Sequence, residues 1–360
     1  MASLVAVCVL MFYLHTSRTF RSSSGIHGAA GLLEGRPSQG RTTMGQRATS
    51  ASALQPLGSG VLPALVPQSD RHSQGGLTRG LVLTRMKCND ISWVGENLEG
   101  LDLTIYVADD VNATAHPPKN KGHEVMVYLT FIIEHYVNLP DVIVFMHAHR
   151  HTTHNNDLLG FDATEMLQRL QLAHVIRQGY FNMRCHWSPG CPEWLKPNPD
   201  HEVLSKQEEA VLSESWGELF PREPLPPTLA QTCCAQFAVS KKRVQSIPKS
   251  RFIFYRDWLL KTPLSDFVSG RVWEYTWQFL FTGQQVHCPA EHICYCHGFG
   301  ICFEGEERYN AFKRLGFTKQ EYDSRLKAID NNQPTTNHSG VGNGEGNPIS
   351  HYTENKASIE

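Results

Sequence analysis

The stretch Asn120 to Asp157, NKGHEVMVYLTFIIEHYVNLPDVIVFMHAHRHTTHNND, constrains this chain more than any other. Val125, Tyr128, Leu129, Ile132, Ile133 and Tyr136 follow the i, i+3, i+4, i+7 rule, which predicts a buried helix. Glu124 falls in its first turn, where the helix dipole favours a negative charge, and Asn138-Leu139-Pro140 ends it. Asp141 to Met146 is apolar, β-rich and too short for a helix, so it reads as a core strand. Its carboxyl end delivers His147, Ala148 and His149 into a loop with His151, His154 and Asp157. In open α/β sheets, ligands bind at such strand ends.

The rest of the chain supports an α/β class. Leu81-Val82-Leu83 reads as a strand leading to Asn89-Asp90 and Trp93, and Leu103 to Val107 as a second strand ending at Asp109-Asp110. Two strands, a helix and a strand favour a parallel crossover and a Rossmann-like sheet. Asp162-Ala-Thr-Glu165 resembles a capping box opening a helix to about Gln178, and Gly179 is a natural stop. Tyr180 to Trp187 and Cys234 to Val239 are further strand candidates. Ser240 and Ser250 are placed to open helices, Gly270 to Phe281 reads as an aromatic helix, and Glu304 to Ile329 as a surface helix.

With 360 residues, 41% hydrophobic and 19% charged, the chain can bury a single core and still leave long flanks. A net charge of -2, with no basic patch interleaved with aromatics, sets nucleic acid aside as a partner. Residues 1–17 read as a signal peptide or short signal anchor, because MASLVAVCVLMFY is apolar but short for a membrane span. Arginines at 18, 21, 36, 41 and 47 follow it, which leaves a mitochondrial leader as the alternative to the secretory pathway. Residues 18–79 form a Ser/Gly/Pro/Arg-rich linker, 80–303 a single domain, 304–330 a surface helix and 331–360 a disordered tail. Asn112 and Asn337 begin glycosylation sequons.

Nine of the ten cysteines lie in the expected domain. In an oxidising compartment they allow up to four disulfides with one thiol left over, and their spacing lacks the paired knuckles of a zinc ribbon.

Side chains two apart on a strand share a face, so His147 and His149 are expected about 7 Å apart at the sheet edge. With His154 and Asp157 they could hold zinc, manganese or iron, contact a phosphate, or simply shape the loop. Asp90 and Asp109 close strands where nucleotide sites take ribose contacts, though both residue types also favour ordinary turns. Glu274 lies among Trp273, Tyr275 and Trp277, where an unpaired charge is costly. It is expected either to pair with Arg271 or Arg256, or to be held for proton transfer. No nucleophile elbow, Walker loop, G-x-G-x-x-G or H-E-x-x-H occurs in the domain.

Several motifs carry a family resemblance: Asn120-Lys-Gly-His-Glu124, Tyr128-Leu129, Asn138-Leu-Pro140, Val144-Phe-Met-His-Ala-His149, Arg184-Cys185 and Gly190-Cys-Pro192. Cys233-Cys-Ala-Gln-Phe-Ala-Val-Ser240, Ser269-Gly-Arg-Val-Trp-Glu-Tyr275 and Cys294-Tyr-Cys296 complete the set. The chain resembles the fungal proteins grouped as domain of unknown function 3431. More distantly, its strand, Asn-Asp-x-x-Trp, strand, Asn-x-Gly-x-Glu helix and Val-x-Phe strand series is similar to nucleotide-sugar glycosyltransferases of the GT-A type. That likeness implies a GT-A-type mixed sheet, a nucleotide-sugar donor, a divalent metal such as manganese or zinc, and a glycan or glycoprotein acceptor. It also implies a secretory site, either secreted or held in the Golgi or ER membrane by the N-terminal anchor. Asp90, Asp109, Asn120, Glu124 and Arg271 become candidate donor contacts, His147, His149, His154 and Asp157 candidate metal ligands, and Glu274 or Asp266 the candidate base. His147-Ala-His149 stands where such enzymes carry Asp-x-Asp, a departure from the pattern. Two rival readings are a metal-dependent hydrolase using the histidine cluster and a non-catalytic, disulfide-braced secreted or surface module.

Overall fold

Three strands with unbroken apolar runs set the architecture. In a computed structural model of the chain, residues 63–65, 76–95, 98, 101–197 and 206–331 are described. The N-terminal signal or anchor, most of the linker, the tail beyond 331 and the Asn337 sequon lie outside the described residues. Strand β1 (Arg79–Arg85) buries Leu81, Val82 and Leu83, and β2 (Asp102–Val107) runs parallel beside it as an edge strand. Helix α1 (Val125–His135) is buried from Val125 to Ile133, on every side, as a helix apolar all round must be. It leads to β3 (Val142–His147), parallel to β1 on the side away from β2 and fully buried from Val142 to Met146.

Two short helices follow, α2 (Ala163–Arg169) and α3 (Leu172–Gln178). The sequence reads as one continuous helix here, but Leu170 and Gln171 turn to extended backbone, ψ 122° and 95°, and split it. Asp162 does cap α2, accepting the Thr164 N–H, whereas Glu165 pairs forward with Arg169 and does not close the box. Strand β4 (Tyr180–Asn182) is shorter than expected, since Met183 to Trp187 leave the sheet to carry Arg184 and Cys185 into the strand-end cluster. After α4 (Gln207–Leu219), β5 (Phe237–Ser240) runs antiparallel to both β3 and β4. It starts three residues later than expected because Cys234 and Ala235 adopt left-handed backbone, φ 87° and 48°.

The sheet order is therefore β2-β1-β3-β5-β4, mixed in direction. Alternation sends Leu81, Leu83, Val144, Met146 and Ala238 to one apolar cluster and Val82, Ile143, Phe145, Phe237 and Val239 to another, so helices cover both faces. The β1 to β2 connection, with Trp93 and Val94, crosses the first face; the β2 to β3 connection, with α1, crosses the second. The two crossovers run in opposite directions on opposite faces, which gives both the same hand.

Helices α5 (Lys241–Gln245), α6 (Lys249–Lys261), α7 (Asp266–Glu274), α8 (Trp277–Thr282) and α9 (Glu291–Phe299) follow. α6 packs on α1 and α7 on α4. The expected aromatic helix is two helices, α7 and α8, broken at Tyr275-Thr276. Short strand pairs join Ala64–Leu65 to Ile301–Cys302 and Ala230–Gln231 to Val286–His287. Gly60–Phe312 makes one compact unit, and the surface helix expected at 304–330 is α10 (Glu306–Asn331). No helix among the described residues is long and apolar enough to cross a membrane.

Disulfides join Cys185 to Cys294, Cys191 to Cys288, Cys233 to Cys234 and Cys296 to Cys302. The thiol expected to be left over is absent: none of the described cysteines is free.

Candidate functional site

Because β5 runs against β3, with Phe145 opposite Phe237, the residues before β5 meet those after β3 and β4 at one sheet end. Gln236 fastens them. Its Oε1 accepts the His147 N–H at 3.0 Å, while its Nε2 donates to the His154 carbonyl at 3.2 Å and to Asn155 Oδ1 at 2.9 Å. The loop is thereby folded back so that His147 Nδ1 and His154 Nδ1 stand 3.1 Å apart. His147 Nε2 lies 3.7 Å from Glu124 Oε2, and both side chains are largely enclosed, 19% and 13% exposed.

Glu124 stands at the start of α1, after Gly122 and His123 in left-handed backbone, φ 72° and 54°. The His123 N–H donates to Asp266 Oδ1 at 3.2 Å, which ties this turn to the first residue of α7. Burial pushes the Glu124 carboxyl up to about 8, and the nearby Glu274 and Asp266 carboxylates add to it against the pull of Arg271.

Behind this pair lies a buried ionic triad. Arg271 Nη1 donates to Glu274 Oε2 at 2.7 Å and Arg271 Nη2 to Glu208 Oε1 at 3.0 Å. Glu208 is wholly enclosed, and burial raises its carboxyl despite Arg271. Glu274 Oε1 accepts the Cys234 N–H at 2.7 Å. Of the two alternatives for Glu274, the ion pair with Arg271 is the one observed, and Arg256 turns to Asp257 instead.

Residues 81–297, more than half of the chain, match the family described as protein of unknown function (DUF3431). The chain belongs to this family. No curated protein and no solved structure matches it. The DUF3431 match contains every residue of the strand-end cluster, from Glu124 to Glu274.

Within this DUF3431 domain the proposed metal quartet does not assemble. His147 and His154 meet, but Asp157 accepts the Tyr295 O–H and lies 3.6 Å from His186 Nδ1. His149 is half-buried, and burial lowers its basicity. Among the described residues, the one set of three or more ligand atoms within 4.8 Å of one another is Cys233, Cys234 and Glu274. Two of those atoms are the bonded sulfurs of a disulfide, which are not thiolate ligands. The histidine pair thus falls short of the three protein ligands a catalytic zinc keeps.

The remaining candidates serve turns at the same sheet end. Asp90 Oδ1 accepts the Ser92 N–H at 2.8 Å, and Asp109 Oδ1 the Lys87 N–H at 2.7 Å. Asn120 Nδ2 faces Met86 Sδ at 3.9 Å, and Asp266 is half exposed beside His123. Sequence reasoning missed Glu208, Gln236, Arg184, His186 and Tyr295. Glu208 sits in a Glu-Glu pair that looks like any exposed helix start, so no local signal marks it. Arg184 and Gln236 had a signal, since both fall inside the motifs quoted for the family.

Proposed function

We propose that the protein transfers a glycosyl group from a nucleotide sugar to a hydroxyl of a glycan or glycoprotein, with Glu124 as the base that takes the hydroxyl proton. The observation that carries this reading is the Glu124/His147 pair. A carboxyl that ionises near 8 is, in its ionised fraction, a stronger base than an ordinary glutamate, so transfer is expected to rise with pH toward 8. Its partner His147 closes the central strand β3, and that imidazole, 3.7 Å away, can pass the proton on. In α/β sheets whose crossovers lie on opposite faces, nucleotides are taken at the carboxyl ends of the strands where the order reverses, here between β1 and β3. This arrangement is also compatible with the GT-A resemblance in the sequence.

Glu274 is reassigned from base to holder. Its two oxygens already accept hydrogen bonds from Arg271 and from the Cys234 N–H, so both are occupied by protein donors. Arg271, bound by two carboxylates, is likewise a structural cation rather than a ligand for diphosphate. No step is assigned to a metal, because among the described residues no third His, Cys, Asp or Glu ligand atom joins the two histidines within 4.8 Å.

The test is thermal unfolding of the whole chain with a panel of nucleoside diphosphate sugars, each with and without manganese or zinc. A ligand that binds only the folded state must raise its stability. A shift with one donor, together with transfer activity that Glu124→Gln abolishes, supports the reading. If no donor shifts unfolding, and Glu124→Gln and His147→Ala alter stability alone, the disulfide-braced module takes its place.

A further inference from the structure

The Cys233–Cys234 disulfide joins neighbouring residues, so it closes a minimal loop and restrains the unfolded chain very little. Its surroundings differ from those of the other pairs. Arg184, 6% exposed and anchored through Nη2 to the Ser188 carbonyl at 2.7 Å, directs Nη1 onto Cys233 Sγ and lies 3.7 Å from Cys234 Sγ. Among the described residues, no basic side chain donates to the sulfurs of the other three pairs. Cys233 is buried while Cys234 is partly open. The Cys234 N–H, in turn, holds Glu274.

We propose that Cys233–Cys234 is an exchange-competent disulfide whose substrate is a small dithiol, and that its reduction releases Glu274. The dithiol's first thiolate attacks Cys234 Sγ, the accessible sulfur. The bond between the two protein sulfurs breaks, and its electron pair leaves on Cys233 as a thiolate beside the Arg184 guanidinium. A guanidinium at the leaving sulfur favours this step, because a better-stabilised thiolate departs faster. The dithiol's second thiolate then attacks its own sulfur in the mixed disulfide and expels Cys234 as a thiolate. The protein pair gains two electrons, the dithiol loses them as its disulfide closes, and the two protons it gave up are available to the new cysteine thiols. With the link gone, Cys234 and Ala235 are no longer pinned at φ 87° and 48°, and the N–H that holds Glu274 is free to turn away.

The experiment uses the oxidised full chain, exposed to graded dithiothreitol, quenched with iodoacetamide and mapped by peptide mass. Cys233 and Cys234 should be labelled before Cys185, Cys191, Cys288, Cys294, Cys296 and Cys302, and in unquenched samples the pair should re-form when the dithiol is replaced by glutathione disulfide as oxidant. Arg184→Gln should slow that first labelling about tenfold, whereas Arg184→Lys should slow it less. Labelling of any of the other six first, or an Arg184→Gln protein reduced as fast as the unaltered chain, overturns the proposal. The labelling order needs no variant, so it decides even if Arg184→Gln fails to fold. Neither outcome depends on whether the protein transfers a sugar.

Discussion

His147 and His154 face each other nitrogen to nitrogen, Nδ1 to Nδ1 at 3.1 Å. At that distance one ring donates and the other accepts, so the pair shares a single Nδ1 proton. Nitrogen-15 spectra at neutral pH should therefore show one Nδ1–H and one bare Nδ1, coupled across the hydrogen bond. His154→Ala should collapse the coupling while His147 Nε2 keeps its place beside Glu124. Two identical tautomers in the unaltered protein would show that the rings do not meet in solution.

Glu124 gives a pH dependence whose direction follows from its environment. An unfolded glutamate ionises near 4.5, and the folded one near 8. Between these values the folded protein keeps a proton that the unfolded chain has released, so stability falls as pH rises through the window. Glutamine cannot ionise and escapes this loss. The unfolding free energy of Glu124→Gln relative to the unaltered protein should therefore rise by about 4 kcal/mol between about pH 5 and about pH 9. Denaturant titrations across that range measure it. A difference independent of pH would mean that the carboxyl is not desolvated.

The Glu208, Arg271, Glu274 triad predicts a non-additive result. Removing the one cation strands two enclosed carboxylates, so Arg271→Met should cost about 3–5 kcal/mol. Neutralising all three groups, as Glu208→Gln, Arg271→Met and Glu274→Gln together, removes the stranded charges and should cost less than the single change. Equal losses in the two proteins would sink the account.

The disulfides should rank by the chain they close. Cys185–Cys294 spans 109 residues and Cys296–Cys302 spans six. Chain entropy assigns about 4–5 kcal/mol to the first and about 2 kcal/mol to the second. Alanine pairs at each site, compared by chemical unfolding, should keep that order, and its reversal would place their effect in native contacts instead.

The elements legible in the sequence were those whose burial is continuous. Leu81 to Leu83, Val142 to Met146 and the all-round apolar α1 announce central positions because every residue in them is wrapped. What stayed hidden was set by distant partners. The split at Leu170-Gln171 and the left-handed Cys234-Ala235 turn serve tertiary contacts that no local pattern encodes. In the site, strand alternation pointed to His147 and His149 and the following loop to His154, of which His147 and His154 meet. The cost of burying Glu274 unpaired pointed to Arg271 or Arg256, of which Arg271 is its partner. Asp157 was misplaced because its partners, His186 and Tyr295, come from segments far along the chain.

Gly270 tests how closely α7 sits on the turn that carries Glu124. A Cβ there would lie 2.5 Å from His123 Cδ2 and 3.2 Å from the Gly122 carbonyl carbon and oxygen. The imidazole is itself packed between Asp266, 3.9 Å from its Nε2, and the Phe267 ring, and Gly122 is backbone, so neither yields cheaply. Alanine ordinarily gains about 1 kcal/mol over glycine inside a helix. Overpacking of this kind costs about 1–3 kcal/mol, which outweighs that gain. Gly217, in α4, has nothing within 4 Å of the same added carbon. Gly217→Ala should therefore stabilise the protein while Gly270→Ala destabilises it and shifts the His123 resonances. If both substitutions stabilise, α7 does not press on the 122–123 turn, and the placement of Glu124 against Asp266 and Glu274 falls with it.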